Sequence, residues 1–389
     1  MEQQPILATA SRFVDEFLAD LGGLVAIDSG SYTPDGVARV ADVLQPRFAE
    51  CGWSVERIPG VRVGPHLVAR KRGDGRGRIL LIGHMDTVFA DGETERRPFA
   101  VRDGRAYGPG VLDMKGGLLV GLYALRVLSD LGEAPFEAVT FLLNSDEEIG
   151  SPESSEIVAR LAQDVDVALV LEPTADVERL TVSRKGVGMF RLDVSGISSH
   201  AGADPKRGRS AILELAHRIV ALHALNDTIH GVTVNVGVVE GGDHANVIAD
   251  AAHALIDVRV LDPEGKRRIE GELQRVVAQT IVENTSVTLT GHFAHEPFQQ
   301  SEASALLFAL AKEEAAKLGL SLRGEPSGGA SDGNTTAALG VPTLDGLGVV
   351  GGLAHNPGEY VDIAAIAPRI ALLATIIGRI GEWTHPSQE

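Results

Sequence analysis

Short apolar runs recur in the first half of the chain, separated by stretches with helical periodicity. Runs that stop at glycine or at polar residues are typical of strands buried on both faces of a parallel sheet. They occur at residues 78–83, 138–143 and 167–171. Apolar positions three and four residues apart predict helices at 11–25, 36–51, 116–131, 154–161 and 363–380. This alternation predicts an α/β domain with a mixed, largely parallel sheet.

The pattern changes in the middle of the chain, where apolar and polar residues alternate one by one. Such alternation is typical of strands with one solvent-facing side. It predicts strands at 187–194, 232–239, 251–260 and 286–292, and helices at 210–225 and 263–283. The order β-α-β-β-α-β is that of a ferredoxin-like α+β module. We therefore expect an α/β domain at 1–184 and 296–389, interrupted by an inserted α+β domain at 185–295.

Charge and cysteine content exclude several classes of protein. The chain has 389 residues, and 35 basic against 53 acidic side chains give a net charge of −18. A chain this acidic repels a phosphate backbone, so nucleic acid is not expected as a partner. Cys51 is the only cysteine, which excludes an intrachain disulfide and a cysteine-rich metal site. No leader pattern and no uninterrupted apolar span are seen, so no membrane contact and a cytoplasmic location are expected.

Polar residues gather where the predicted parallel strands end, which is where open α/β sheets bind ligands. His84 and Asp86 follow the first strand, Glu147 and Glu148 the second, and Glu172 the third. Asp113 in a glycine-rich loop and His355 near the C-terminus complete the set. Taken singly, such residues often form turns and helix caps. Together, imidazoles and carboxylates without sulfur suit zinc or a similar divalent ion.

Five ordered motifs make the sequence resemble the M20 clan of dinuclear zinc amidohydrolases and metallopeptidases. They are Gly-His-Met-Asp-Thr-Val at 83–88, Gly-Pro-Gly-Val-Leu-Asp-Met-Lys-Gly-Gly at 108–117, Asp-Glu-Glu-Ile-Gly-Ser at 146–151, Leu-Glu-Pro-Thr at 171–174 and Ser-Ser-His-Ala-Gly at 198–202. Within the clan, the chain is most similar to the carboxypeptidase G2-like glutamate carboxypeptidases. That narrower likeness rests on the segments 328–332 and 355–362.

The resemblance implies two metal ions, expected to be Zn²⁺, with Co²⁺ or Mn²⁺ as alternatives. One would be held by His84, Asp113 and Glu172, and the other by Asp113, Glu148 and His355, so that Asp113 bridges them. It also implies that the peptide bond between Asp113 and Met114 is cis.

Three further residues receive catalytic roles from the resemblance. Glu147 would be the general base that takes a proton from a water bridging the metals and passes it to the leaving amine. Asp86 would orient His84 through its second ring nitrogen. His200 would donate a hydrogen bond to the oxyanion. In dimeric relatives it reaches the neighbouring subunit's site.

Substrate recognition is expected from the insert and from a glycine-rich segment. The resemblance places Arg259 on the substrate carboxylate, for which its forked guanidinium is suited, and Asn246 in contact with substrate. Gly329 would let the backbone approach the substrate closely. The expected reaction is release of a C-terminal amino acid, of glutamate type, from a short peptide or an N-acyl amino acid.

Several alternatives stay open at this point. The chain could be an aminoacylase, a deacetylase or a dipeptidase with another amino-acid specificity, or a non-catalytic binding member. The acyl group could be aromatic, aliphatic or another amino acid. The resemblance implies a homodimer formed through the inserted domain, since in relatives this module pairs with its twin, and twofold dimers are also the commonest oligomers. The alternative is a monomer in which the insert is only a lid.

Overall fold

A computed structural model describes residues 3–383 of the chain. Its α-helices, in chain order, are α1 (Gln3–Arg12), α2 (Val14–Val25), α3 (Pro34–Glu50), α4 (Glu93–Arg96), α5 (Gly116–Asp130), α6 (Ser154–Leu161), α7 (Ala211–His223), α8 (Pro263–Val277), α9 (Glu302–Lys317), α10 (Asp332–Ala338) and α11 (Ile366–Ile380). Short 3₁₀ turns occur at Glu147–Ile149, Ala162–Asp164 and Ile363–Ala365, and an irregular helical turn at Val111–Lys115.

The strands fall into several sheets of unequal size. In chain order they are β1 (Ser54–Ile58), β2 (His66–Arg72), β3 (Arg78–His84), β4 (Ala100–Arg102), β5 (Arg105–Tyr107), β6 (Ala138–Asn144), β7 (Val167–Val170), β8 (Arg179–Arg184), β9 (Gly186–Ser195), β10 (Ser199–His200), β11 (Thr233–Gly241), β12 (Val247–Ile248), β13 (Ala251–Val260), β14 (Ser286–His295), β15 (Arg323–Ser327), β16 (Thr343–Leu344), β17 (Gly351–Gly352) and β18 (Tyr360–Asp362).

Within the described residues the chain divides into two compact units. The first runs to Ser183 and resumes at Gln300–Ser327 and from Ser331 onward. The second comprises Arg184–Gln299 and Gly328–Ala330. The second unit is therefore inserted into the first. It also includes the short segment Gly328–Ala330, which is distant in sequence.

The main sheet of the first unit has the strand order β1-β2-β6-β3-β7-β16. Strand β3 lies between β6 and β7 and is parallel to both, whereas β1 and β2 pair antiparallel at one side. One large apolar core includes residues of α1, α5 and α11, and a smaller one includes residues of α6. Helix α5 lies close to the chain that leaves β7 at Gly117, where an added Cβ would lie 2.2 Å from the Leu171 carbonyl oxygen. This packing holds the carboxyl ends of β3, β6 and β7 at one edge.

The second unit contains an antiparallel four-stranded sheet with the order β11-β13-β9-β14. Its core joins the inward faces of these strands to α7 and α8. Both helices begin at capping side chains, since the Ser210 hydroxyl and the Asp262 carboxylate accept main-chain N–H groups of the first turn. The connectivity is the predicted β-α-β-β-α-β order.

The structure corrects the sequence prediction at several elements. The helix predicted at 11–25 is two helices separated at Phe13, and the helix predicted at 263–283 ends at Val277. Strands β1 and β2 were missed, because exposed and charged residues obscure their apolar positions. The segment Ile363–Ile380 has the length and apolarity of a membrane-spanning helix, but 78% of it is buried inside the fold. It is therefore a core helix.

Candidate metal centre

Three strand ends bring the predicted residues of the first unit together. His84 is the last residue of β3 and pairs in register with Asn144, the last residue of β6. The chain leaving β6 forms the 3₁₀ turn with Glu147 and Glu148, and Glu172 follows β7. Because β3, β6 and β7 are parallel neighbours, these side chains share one edge of the sheet.

Asp113 lies between the two histidines. Its Oδ1 is 3.2 Å from His84 Nε2, and its Oδ2 is 3.2 Å from His355 Nε2. The residue lies in the irregular turn Val111–Lys115, and the peptide bond between Asp113 and Met114 is cis, which confirms that expectation. Each carboxylate oxygen therefore faces a different imidazole, as a bridging ligand requires.

Two groups of side chains have the geometry of metal sites. One consists of His84, Asp113 and Glu172, and the other of Asp113, Glu148 and His355. In each group the ligand atoms lie within 4.8 Å of one another. The Glu148 Oε1 is buried without a hydrogen-bond partner, as suits an oxygen reserved for a cation. These residues fit a pair of divalent ions.

Asp86 is fully buried and connects His84 to the turn that carries the two glutamates. The Nδ1 of His84 donates to the Asp86 main-chain carbonyl at 2.9 Å, and the nearer carboxylate oxygen is 3.4 Å away. The carboxylate itself accepts the N–H groups of Glu147 and Glu148, at 3.3 and 3.2 Å, and the Ser31 hydroxyl at 2.6 Å. The backbone of Asp86 thus orients the histidine, and its side chain holds the turn.

Glu147 stands beside the ligands without belonging to either group. Its Oε2 lies 3.9 Å from His84 Nε2. Burial, and then the nearby Glu172 carboxylate, raise the pKa of Glu147 well above its ordinary value. A carboxylate with raised proton affinity is suited to accept a proton and release it again.

The opposite charges in the cluster shift the pKa values of the ligands. Burial would raise the pKa of Asp113, but hydrogen bonds with His355 and His84 bring it below its ordinary value. Hydrogen bonds to Asp113 and Glu148 raise the pKa of His355 to about 10. A metal cation would bind the same carboxylates that the protonated histidines now contact. Metal binding therefore competes with protonation of the histidines.

Glu359 belongs to the segment 355–362, on which the narrower family likeness rests, but the sequence prediction assigned it no role. Its buried carboxylate accepts the N–H groups of Leu112 at 2.7 Å, Asp113 at 3.0 Å and Gly110 at 3.3 Å. Burial raises its pKa to about 7, against the lowering effect of these donors. The sequence signal that could have indicated this role of Glu359 is its place in the same short motif as His355. His355 is a candidate metal ligand, and Glu359 supports the turn that carries Asp113.

In the second unit, His200 and Asn246 lie on adjacent chain segments. Strand β10 pairs His200 with Val247 of β12, and the Ala201 N–H donates to the Asn246 carbonyl at 2.9 Å. The Nδ1 of His200 accepts the N–H groups of Gly202 and Ala203, at 3.2 and 3.0 Å. With Nδ1 occupied as an acceptor, the proton of the neutral ring is on Nε2, which can donate.

Arg259 and Gly329 also come together within the second unit. The Arg259 guanidinium pairs with Asp257 at 3.0 Å and donates to the Gly328 carbonyl at 2.9 Å. The buried Arg184, to which the prediction assigned no role, donates to the Gly329 carbonyl at 3.2 Å. Burial, followed by the charges of Arg184 and Arg259, lowers the pKa of His295 to about 4. Two arginine side chains of the second unit therefore hold the segment 328–330 through its carbonyl groups.

Comparison with known proteins gives consistent results. The sequence profile described as peptidase family M20/M25/M40 matches residues 80–379. Carboxypeptidase G2 of Pseudomonas sp. (strain RS-16) is 31% identical over 366 residues, which cover 92% of this chain and 88% of the enzyme. Acetylornithine deacetylase of Myxococcus xanthus is 32% identical over 285 residues, covering 68% and 72%. The structure of a tripeptidase from Staphylococcus aureus superposes with a TM-score of 0.81 at 25% identity, covering 95% and 99%.

Proposed function

The chain belongs to peptidase family M20/M25/M40, and from that premise we propose that it is a carboxypeptidase of glutamate type. Family membership makes it a metal-dependent hydrolase of peptides or acyl-amino acids. The proposal adds the direction of cleavage, namely release of the C-terminal amino acid. The hydrolytic chemistry is carried by one observation, the two oxygens of Asp113 facing His84 and His355, with Glu147 beside them. The direction of cleavage is supported by the similarity to carboxypeptidase G2.

We propose zinc as the metal, held as two ions by the two ligand groups. Zinc binds imidazole nitrogen and carboxylate oxygen, which are the donors present. When bound, two such cations would supply polarisation of the scissile carbonyl and would lower the pKa of water. His84 can serve as a ligand once Nε2 gives up the proton that it shares with Asp113, because Nδ1 keeps its own proton in the hydrogen bond to the Asp86 carbonyl.

Glu147 moves the proton in this proposal. Its carboxylate accepts a proton from the attacking water and delivers it to the nitrogen of the leaving amine. The Asp86 side chain fixes the position of Glu147 by accepting its main-chain N–H. His200 would donate from Nε2 to the oxygen that develops negative charge, as its hydrogen bonds at Nδ1 allow.

The carboxylate of the released amino acid would bind near Arg259, with Asn246 and Gly329 as further substrate contacts. The hydrogen bonds that Arg184 and Arg259 donate to the carbonyls of Gly329 and Gly328 support this part of the proposal, because they place two guanidinium groups beside that segment. A glutamate-type product is favoured by the 31% identity to carboxypeptidase G2. The likeness to acetylornithine deacetylase makes deacylation of a basic amino acid the second candidate.

The test is a panel of N-acyl amino acids and dipeptides that vary only in the C-terminal residue. The zinc-loaded protein is assayed for release of glutamate, aspartate, ornithine and leucine. Glu147→Gln serves as the matched blank, since it preserves shape and removes the base. We expect glutamate release, reduced in the variant by about 10²–10⁴-fold, which is the contribution of a general base.

Other results have defined meanings. Preferred release of ornithine would replace the glutamate assignment by deacylation of a basic amino acid. Equal activity of the Glu147→Gln variant would remove Glu147 from its role as base. No release from any substrate, with two zinc ions bound per chain, would favour a non-catalytic member of the family.

A further inference from the structure

The turn that carries Glu147, here called the base turn and defined as residues 144–151, has both of its ends bonded to one carboxylate. Asp332 is the first residue of α10 and is 2% exposed. Its Oδ2 accepts the side-chain amide of Asn144, the last residue of β6, at 2.5 Å. Its Oδ1 accepts the Ser151 hydroxyl at 2.7 Å. One buried side chain therefore joins the beginning of the base turn to its end.

The end of the base turn has a backbone conformation that needs such support. Gly150 and Ser151 have φ angles of +88° and +53°, both in the left-handed region. Glycine adopts this region freely, whereas a residue with a Cβ does so at a cost in energy. The Ser151 N–H donates to the Asp146 carbonyl at 2.8 Å, and its hydroxyl donates to Asp332. Unfavourable backbone angles persist where surrounding contacts fix them.

Asp332 is itself held firmly within the first unit. The neighbouring Ser331 caps α10, since its hydroxyl accepts the Gly333 N–H at 3.0 Å. The same hydroxyl donates at 2.6 Å to the carboxylate of Asp345, which follows β16. The Asn334 side chain completes the capping box by accepting the Ser331 N–H at 3.0 Å. The first turn of α10 is thus fixed to the main sheet, and Asp332 with it.

Glu147 depends on the base turn more than its neighbour Glu148 does. Glu148 belongs to a candidate ligand group, so its carboxylate would also be held by a bound ion. Glu147 belongs to neither group, and its position beside His84 follows from the backbone that carries it. A general base must stand within hydrogen-bond reach of the proton that it takes. The conformation of the base turn therefore decides whether Glu147 can act.

We propose that Asp332 is a positioning residue for Glu147, because it joins the two ends of the base turn and so fixes the position of the base. The inference rests on the proposed function, in which Glu147 moves the proton. Asp86 holds the middle of the same turn by accepting the main-chain N–H groups of Glu147 and Glu148. In this role Asp332 acts through the backbone and has no contact with the substrate.

Two substitutions at Asp332 separate loss of its hydrogen bonds from loss of its charge. Asp332→Ala removes the acceptors of both Asn144 and Ser151. Asp332→Asn can keep both contacts, because its amide oxygen accepts from Asn144 and its amide N–H donates to the Ser151 hydroxyl oxygen. Asp332→Asn is therefore the conservative variant that should rescue the position of the base turn.

Thr336→Val is the matched control on the same helix. The Thr336 side chain is also buried, and its hydroxyl bonds to the Gly333 carbonyl at 3.1 Å and to the Thr343 hydroxyl at 2.9 Å. Its loss weakens the attachment of α10 without removing a partner of the base turn. All three variants are also combined with Glu147→Gln, because a residue that acts through Glu147 should have no further effect once that base is removed.

The test measures kcat and KM of the zinc-loaded proteins with the best substrate of the panel above, and zinc content per chain. We expect Asp332→Ala to lower kcat about 10²-fold, which is the effect of a small misplacement of a reacting group. KM and zinc content should stay at the wild-type values. Asp332→Asn should regain most of the rate, and Thr336→Val should retain it. In the Glu147→Gln background, Asp332→Ala should cause no further loss.

Hydrogen exchange of the full-length protein without added metal gives a readout that is independent of activity. The amides of residues 147–151 should exchange at least about tenfold faster in Asp332→Ala, because the turn opens locally more often. Exchange in Asp332→Asn and Thr336→Val should remain close to that of the wild type. If Asp332→Ala does not fold, Ser151→Ala takes its place, since it removes one of the two contacts.

Three outcomes would overturn the inference while the proposed function stands. One is a wild-type kcat in Asp332→Ala. Another is an equal loss from Asp332→Ala in the wild type and in Glu147→Gln, which would show that Asp332 does not act through the base. The third is a loss of zinc with full kcat once zinc is restored, which would assign Asp332 to Glu148 instead. Absence of hydrolysis by the wild type would remove the proposed function, and this role with it.

Discussion

Glu359 supports the metal centre through the backbone. One carboxylate accepts three N–H groups from the segment that carries the bridging Asp113, and nearly all of it is buried. Hydrogen bonds to charged acceptors contribute about 1.5–3 kcal/mol each, and unpaired buried donors are destabilising. The position of Asp113 therefore depends on a residue almost 250 positions away in sequence.

We predict that Glu359→Gln weakens metal binding and lowers stability. The amide turns an N–H₂ group toward main-chain donors, so that one or two hydrogen bonds are lost. Zinc affinity should fall at least tenfold by competition with a chelator, and the free energy of unfolding should fall by about 2 kcal/mol. Glu95→Gln, an exposed change on α4, is the control. Wild-type zinc affinity in the Glu359 variant would contradict this role.

His295 makes the stability of the second unit depend on pH. Its pKa is about 4 in the fold, below the ordinary 6.5, because of burial and the charges of Arg184 and Arg259. The unfolded chain takes up a proton as the pH falls below 6.5, and the folded chain does not until about 4. The stabilisation is thus complete above pH 6.5 and is lost between pH 6.5 and 4.

We predict that urea unfolding shows a smaller pH dependence in His295→Gln than in the wild type. From pH 7 to pH 5 the free energy of unfolding of the wild type should fall by about 2 kcal/mol more than that of His295→Gln, by linkage from these two pKa values. His292→Gln, an exposed change on the same strand, should behave as the wild type does. Parallel pH profiles for wild type and His295→Gln would show that His295 titrates normally in the fold.

The residues of the metal centre could be predicted because each belongs to a local motif, either at a strand end or, for Asp113 and His355, in a loop. Glu359 also belongs to a local motif, but its hydrogen-bond partners Gly110, Leu112 and Asp113 are remote in sequence. The spacing of residues within the motif therefore could not predict its role. Arg184 and His295 were missed for the same reason. Both residues are buried, and the charge of Arg184 acts on His295. Neither burial nor this proximity is visible in a single sequence.

At the scale of elements, helix α11 supports a loop through one buried arginine. Arg369 is 1% exposed, and its Nε donates to the Gly348 carbonyl at 2.9 Å. It also donates to the carbonyls of Gly346 and Val177. The Gly348 N–H in turn donates to the Glu172 carbonyl at 3.0 Å. The helix thereby fixes the main chain of a candidate metal ligand.

We predict that Arg369→Leu lowers the free energy of unfolding by about 3 kcal/mol, because several buried carbonyls lose a charged donor. Arg369→Lys should recover only part of this, since one ammonium cannot reach carbonyls on separate loop segments. Arg96→Leu breaks an exposed ion pair with Glu93 and should change stability by less than about 1 kcal/mol. Equal effects of the Arg369 and Arg96 changes in urea unfolding would contradict the supporting role.

The elements that could be predicted are those whose pattern is set by burial alone. Strand β13 was predicted at its observed bounds, because its inward positions alternate strictly with exposed ones. Strand β1 could not be predicted, since it lies at an edge of the sheet and its residues are mostly exposed. The end of α8 at Val277 also escaped prediction, because apolar residues continue beyond it without the helix.

At the scale of the whole molecule, the insertion was visible from the change in hydrophobic pattern. Its boundaries were placed at 185 and 295, whereas contacts within the structure divide the chain at Arg184 and Gln299. The assignment of Gly328–Ala330 to the second unit could not be predicted. It follows from hydrogen bonds that Arg184 and Arg259 donate to the carbonyls of Gly329 and Gly328.

The second unit exposes apolar side chains on helix α7 and on strand β11, here together called the α7–β11 face: Leu213, Val220, Val238 and Val239. These side chains are 51%, 72%, 42% and 53% exposed. Strand β11 is also an edge of its sheet, with main-chain groups available for pairing. An apolar patch beside an open edge is a common basis for association between identical chains.

We predict that the protein is a homodimer formed through the α7–β11 face. Sedimentation at micromolar concentration should give about twice the chain mass of 41.0 kDa. Val220→Glu combined with Val239→Glu should yield monomers, because like charges on both copies would face each other across a twofold interface. The matched control Val61→Glu with Val101→Glu alters equally exposed valines of the first unit and should leave the dimer intact. A wild-type protein that sediments at 41.0 kDa over this range would show that the face serves no dimer. A dimer that persists in the double variant would place the interface elsewhere.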